Sequence, residues 1–245
     1  MPYKLLPCGI LMAALVCPVF TSCSDDDDDE VDPSNGHAYV DLGLPSGALW
    51  ATCNVGATAS YECGDYYAWG ETKTKSTYEQ SNYFDSNNWK GILDDPTFNK
   101  YNSVSNGYLE LQVEDDVAAQ EWGGKWRTPT AEDYNELITY CEWVYTSSYK
   151  STGVKGVVCF KMKASGEYDV DKDTHIFFPS TGFALSESVY YQSTYCDYWS
   201  RTLRTTSNTP DITSYAFHGD LSSKVVKLSF DYRSTGLVVR PVLFK

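Results

Sequence analysis

Cations are scarce in this sequence. Its 245 residues hold 19 Lys and Arg against 33 Asp and Glu, a net charge of −14. Phosphate recognition needs clustered Lys and Arg, so this balance excludes nucleic acid as a partner. It also works against adsorption to anionic lipid. No uninterrupted apolar run reaches the ~20 residues that a spanning helix requires. None of the eight cysteines stands in CxxC spacing, which removes the usual zinc and redox readings. A Gly-x-Ser-x-Gly nucleophile elbow is lacking. His37, His175 and His218 are far apart in no zinc-like or triad-like motif, and each reads as a strand or loop residue. Internal repeats are not evident. The sequence therefore assigns no catalytic residue, no metal site and no resident cofactor, and the expectation is a protein that is not an enzyme.

What is present begins with Met1-Pro2-Tyr3-Lys4 and an apolar run from Leu5 to Phe20, broken by Pro7, Gly9 and Pro18. One cation followed by a short apolar core is the layout of a secretory signal. The run closes on Val19-Phe20-Thr21-Ser22-Cys23, which resembles a bacterial lipobox, with Phe20 where Leu is usual. Cys8 and Cys17 are poorer candidates, because bulky residues precede them. Residues 1–22 are thus expected as a lipoprotein signal peptide and Cys23 as the lipidated residue. One acyl chain holds a protein to a bilayer only marginally, whereas several anchor it stably. Asp25 to Asp29 and Glu30 follow, a run that repels itself and stays extended. Residues 23–36 read as a lipidated acidic tether. Acidic residues just after the cysteine also resemble an export tag of surface lipoproteins, so the expected location is the outer membrane, exposed at the cell surface.

Residues 37–245 are expected as a single domain, long enough to enclose a hydrophobic core. Aromatics make up 15 % of the chain and 20 of them are Tyr. Tyr suits strands in a β-rich protein and also half-exposed binding faces, where the ring packs and the hydroxyl stays wet. Beyond Cys23, the cysteines Cys53, Cys63, Cys141, Cys159 and Cys196 remain. An exported compartment permits disulfides, but five cysteines leave the connectivity open.

Strand patterns appear at 39–44, closed by the turn Leu44-Pro45-Ser46-Gly47, and at 49–55. Residues 64–108 show little periodicity and read as a long irregular region, a length often associated with function. A helix is predicted over 114–122, stopped by Gly123-Gly124. A second is capped by Thr130, with Asp133 at the capping-box position and Tyr134, Leu137, Ile138 and Cys141 along one face. Further strands are expected at 154–162, 175–179, 198–203, 214–218, 224–232 and 237–244. Two early helices in a mostly antiparallel β chain make the class α+β.

Several blocks look familiar in combination. They are Val40-Asp41-Leu42-Gly43-Leu44-Pro45-Ser46-Gly47, Leu49-Trp50-Ala51-Thr52-Cys53-Asn54-Val55-Gly56-Ala57, Gly64-Asp65-Tyr66-Tyr67-Ala68-Trp69-Gly70-Glu71 and Trp122-Gly123-Gly124-Lys125-Trp126-Arg127-Thr128-Pro129-Thr130. Phe178-Pro179-Ser180-Thr181-Gly182-Phe183, Tyr198-Trp199-Ser200 and Val238-Val239-Arg240-Pro241-Val242 follow in the same order. Together they resemble the Fibrobacter succinogenes major paralogous domain, over residues 38–243. That family is similar to the formylglycine-generating-enzyme branch of the C-type lectin fold. The resemblance implies twisted antiparallel sheets, terminal strands paired with each other, two helices and long irregular loops.

The fold relatives also suggest chemistry. Oxidation at a copper-bound cysteine pair near the C-terminus does not fit a chain with no cysteine after Cys196. Calcium-dependent sugar binding through Glu-Pro-Asn or Gln-Pro-Asp followed by Trp-Asn-Asp does not fit either, since none of these tripeptides occurs. Calcium in general stays open, because oxygen ligands such as Asp94, Asp95, Asp115 and Asp116 abound. Trp126, Arg127, Pro129 and Thr130 read as a structural motif. Trp126 fills core, Arg127 pairs with Asp115 or Asp116, Thr130 caps a helix, and Arg240 finds a carboxylate likewise. Trp69 and Glu71 could stack on a sugar and bond its hydroxyl, or brace their loop, and bracing is favoured. Tyr190, Tyr191, Tyr195, Tyr198 and Trp199 gather around a turn with the composition of a binding face. The functional expectation is a surface-anchored binding module for a glycan or protein ligand. The alternative is a structural or adhesive subunit of a fimbria-like assembly, and a degenerate formylglycine-generating-type enzyme stands third.

Overall fold

The computed structural model describes residues 32–87, 97–98, 100–101, 108–205 and 213–244. The expected signal segment, Cys23, the acids up to Glu30, and Asp94 and Asp95 lie outside the described residues. Residues 32–245 form one compact unit. It is mixed α and β, with mostly antiparallel sheets and two α-helices among the described residues, as the α+β class requires.

The strands are β1 (Tyr39–Asp41), β2 (Ala48–Ala51), β3 (Ser86–Asn87), β4 (Thr97–Phe98), β5 (Cys141–Thr146), β6 (Gly156–Lys161) and β7 (His175–Pro179). Then follow β8 (Phe183–Leu185), β9 (Ser188–Tyr190), β10 (Tyr195–Leu203), β11 (Thr213–Asp220), β12 (Val225–Tyr232) and β13 (Val242–Phe244). The helices are α1 (Val117–Trp122) and α2 (Ala131–Tyr140). Three three-stranded sheets run in the orders β1-β2-β13, β5-β6-β7 and β10-β11-β12, and two-stranded ribbons join β3 to β4 and β8 to β9. The resemblance implies that the terminal strands pair with each other, but β2 lies between them. The tight turn at 44–47, in which Gly47 N–H donates to the Leu44 carbonyl at 3.0 Å, folds β2 back on β1. That leaves β2's far edge for β13.

Core packing occupies both faces of the central strands. Leu49 and Ala51 of β2 pack with Trp199, Ala216, Leu237 and Val239 in one cluster. Their neighbours Ala48 and Trp50 pack with Tyr198, Phe217 and Val238 in another. Alternate side chains of a strand point to opposite faces, so a strand between two apolar layers buries every residue.

The second helix starts as its sequence dictates. Thr130 Oγ1 accepts from Asp133 N–H at 3.0 Å and Asp133 Oδ2 accepts from Thr130 N–H at 2.6 Å, a complete capping box. It ends one residue earlier than expected. Cys141 is extended and opens β5, because Trp143, Val144 and Tyr145 pair with β6 instead of continuing the turn. The first helix begins at Val117 rather than Glu114. Asp116 is its N-cap, and residues 113–115 form a single 3-10 turn.

Residues 32–36, expected at the end of the tether, belong instead to the folded unit. Asp32 accepts from the N–H and hydroxyl of Ser34, both within 3.0 Å, and fixes a turn. The Trp126 indole donates to the Ser34 carbonyl at 2.6 Å and Asn35 Nδ2 donates to the Trp122 carbonyl at 2.6 Å. His37 stacks on Trp122 with ring centroids 3.8 Å apart. The seat for this segment is Gly124, with φ +59°, where a Cβ would stand 2.8 Å from the Pro33 carbonyl oxygen.

Candidate functional site

Two of the conspicuous basic residues turn out to be structural, with partners other than those expected. Arg127 pairs with Asp133 of the capping box at 2.7 Å, not with Asp115 or Asp116. Asp115 is taken by Lys100 and the Tyr101 hydroxyl, both at 2.7 Å. Asp116, fully buried, accepts from Ala118 N–H and from the N–H and hydroxyl of Thr128, and lies 3.4 Å from Arg201. Arg240 meets no carboxylate among the described residues. It is fully buried and donates to Asn54 Oδ1 at 2.7 Å and to the carbonyls of Ala51, Thr52 and Phe177. A guanidinium's planar fork can serve several carbonyls at once, so it ties β2 to β7 where strand pairing does not reach. Pro129 contributes its carbonyl to Arg201 N–H at 2.7 Å.

The aromatic cluster divides. Tyr198 and Trp199 are 0 % and 2 % exposed, so neither belongs to a binding face. Each satisfies its polar atom on backbone: the Tyr198 hydroxyl donates to the Pro179 carbonyl at 2.9 Å and the Trp199 indole to the Tyr67 carbonyl at 2.8 Å. Trp69 is buried too and donates to the Ser200 carbonyl at 2.8 Å. Glu71 pairs with Lys75 at 2.9 Å and accepts from Phe84 N–H at 3.1 Å. Trp69 and Glu71 thus brace their loop. Tyr190 and Tyr191 are exposed, and Tyr195 is half-buried.

These three tyrosines form part of a continuous aromatic ladder. Tyr191 lies against Phe183 at 5.7 Å and stacks on Tyr195 at 4.7 Å, and Tyr195 leans on His218 at 5.0 Å. Tyr190 extends it past Phe183 at 6.0 Å. The loop that carries Tyr191 is strained, with φ at +57° for Tyr191 and +71° for Ser193, values that cost a residue with a Cβ about 1 kcal/mol each. It is held by close approach to Gly182, where a Cβ would stand 1.9 Å from the Tyr190 carbonyl oxygen.

The ladder borders a groove of about 200 Å³ lined by Phe183, Tyr195, Asp197, Ala216, His218, Ser229, Phe230, Asp231 and Leu237. Asp197 and His218 are register partners on β10 and β11, and Nδ1 of His218 lies 2.6 Å from Asp197 Oδ1. Burial pushes the Asp197 carboxyl upward, opposed by its hydrogen bond to His218. Asp231, on β12, is pushed up to about 6, chiefly by burial, although Thr235 Oγ1 and Tyr232 N–H both donate to it. Among the described residues the lining includes no Lys or Arg. The groove therefore joins an aromatic wall to two desolvated carboxylates and an imidazole of defined orientation, a combination that can stack on a ring and bond polar groups along its edge.

Of the tyrosines singled out from the sequence, Tyr195 lines this groove and Tyr190 and Tyr191 adjoin it, while Asp197, Asp231 and the role of His218 were not legible there. Asp220 stands two residues from His218 in sequence, but the imidazole's partner comes from the neighbouring strand. A second groove, of about 280 Å³, runs past Asp65, Tyr66, Lys75, Tyr78, Glu187 and Val189. Its polar groups are largely committed: Lys75 to Glu71, the Tyr66 hydroxyl to the Thr181 carbonyl, and the Tyr78 hydroxyl to the Tyr66 carbonyl. The five cysteines are all free; Cys141, Cys159 and Cys196 are buried, while Cys53 and Cys63 are half-buried. Among the described residues no three His, Cys, Asp or Glu side chains are grouped to hold a metal ion, and no helix is long and apolar enough to cross a membrane.

Compared with protein-family models, curated proteins and solved structures, the chain matches none.

Proposed function

We propose that this chain is a lipoprotein, anchored through Cys23 at the outer surface of the outer membrane, whose folded unit is a non-enzymatic recognition module of C-type-lectin-like fold. The ordered residue blocks support the fold assignment, together with the antiparallel sheets, the two helices and the terminal segments sharing one sheet. The signal layout, the small residues before Cys23 and the acidic run after it support the anchor.

The observation that carries the binding role is the aromatic ladder beside the Asp197–His218–Asp231 groove. An aromatic face packs on the apolar side of a sugar ring while carboxylates accept its hydroxyls, so a glycan fits the groove's chemistry better than a flat protein surface does. The test is a binding screen of the purified protein against polysaccharides, with and without Ca²⁺. A saturable hit that Tyr195→Ala abolishes is the expected result. Silence across the panel from a folded protein would overturn it. Incorporation of labelled fatty acid, lost in Cys23→Ala, checks the anchor separately.

A second reading, an adhesive or assembly subunit, draws on β12. Among the described residues this eight-residue strand pairs only with β11, at the sheet edge, and Val225, Phe230 and Tyr232 are exposed. A long edge with apolar side chains is a template for a second chain. Concentration-dependent self-association, weakened by Phe230→Lys, is the result that reading requires.

A further inference from the structure

Resting on the recognition role above, we infer that the groove's ligand is an amino sugar presenting a protonated amine. Charge and shape together select such a ligand. Asp197 and Asp231 line the groove with His218, and among the described residues no Lys or Arg lines it. Lys227 occupies the register position beside His218 on β12, is exposed, and is not among the lining residues. Both carboxyls are held above their ordinary range, mainly by burial, so a cation arriving there restores what burial took away. The hydrogen bonds Asp231 already accepts, from Tyr232 N–H and Thr235 Oγ1, both go to Oδ1. Oδ2 is the oxygen left to receive an ammonium.

The walls specify the frame that carries the amine. Phe183 and Tyr195 flank the groove, and Tyr191 extends the Tyr195 face outward. Aromatic faces attract a cation within about 6 Å of the centroid and also pack on an apolar ring face. A volume of about 200 Å³ is broad for the unbranched chain of a lysine but suits a ring. An anionic sugar is repelled by the two carboxylates, and a neutral one offers hydroxyls to Asp231 Oδ2 but brings no counter-charge to it.

The experiment compares a glucosamine hexamer, its N-acetylated form and a neutral glucose hexamer near pH 6.5, using the intact protein. The amine form is expected to bind at least tenfold more tightly than the other two. Asp231→Asn should remove that preference, while Asp169→Asn, at a half-buried acid outside the groove that pairs with Lys172, should leave it. Equal binding of neutral and amine forms, unchanged in Asp231→Asn, overturns the amine assignment and leaves the glycan-binding role standing. Loss of binding in Asp169→Asn as large as in Asp231→Asn shows diffuse attraction to an acidic protein and overturns it too. Absence of binding to any oligosaccharide, here and across the wider panel, removes the glycan-binding role itself.

Discussion

His218 on β11 and Asp197 on β10 stand directly opposite each other, and their Nδ1 and Oδ1 atoms are 2.6 Å apart. The ionised carboxylate accepts the Nδ1 hydrogen, which fixes the imidazole's tautomer and leaves Nε2 as its remaining polar atom. Removing the imidazole leaves Asp197, 6 % exposed, without its charge-assisted partner. His218→Ala should therefore destabilise the protein by about 1–3 kcal/mol at pH 7. The loss should shrink as the pH falls and Asp197 takes up a proton, which urea unfolding at a series of pH values would show.

Asp231 gives a pH dependence of definite sign. Its carboxyl is raised from 3.8 to about 6 in the folded protein. Between those values the folded state holds a proton that the unfolded state has released. Stability contributed by this group is thus complete below about pH 4 and is lost as the pH rises through 6. Asp231→Asn should raise the Tm at pH 7 and leave it nearly unchanged at pH 4. A variant less stable than wild type at pH 7 would contradict the burial argument.

Arg240 is expected to resist conservative replacement. Its guanidinium reaches Asn54 and three carbonyls from a fully buried position. Lysine keeps the charge but has neither the reach in several directions nor the planar fork. Arg240→Lys should cost about 3 kcal/mol or more, as several buried acceptors lose their donors at once. Chemical denaturation measures it directly.

Gly182 sets the position of the aromatic ladder. It has φ +61°, and a Cβ there meets the Tyr190 carbonyl oxygen at 1.9 Å and Gln192 nitrogen at 2.6 Å. Gly182→Ala should push the 190–192 turn away, weaken the Tyr191–Tyr195 stack and lower ligand affinity more than it lowers Tm. Near-ultraviolet circular dichroism, which reports the tyrosine environment, should change even where far-ultraviolet signals do not.

Much of the fold was readable in the residues themselves. Thr130 and Asp133 announce a capping box at the correct positions, and the β-branched and aromatic run at 175–179 marks β7 at both ends. Gly123-Gly124 ends α1 as expected. The strand at Cys141–Thr146 was hidden, because Cys141 continues the helical spacing of Tyr134, Leu137 and Ile138 and no turn residue separates helix from strand. Tyr198 and Trp199 misled for a different reason. Aromatics on a strand carry no mark of whether one face or both are covered, and here both are.

The sequence by itself determined the matters that depend on composition and short range: the acidic balance, the helix caps, the glycine turns and the α+β class. Tertiary structure alone decided which tyrosines face solvent, which partner Arg127 and Arg240 each meet, and that Asp197, His218 and Asp231 share one groove. Those outcomes depend on strand register and on the layering of sheets. Both arise from contacts between residues far apart in the chain, and a one-residue shift in register would send each of these side chains to the opposite face.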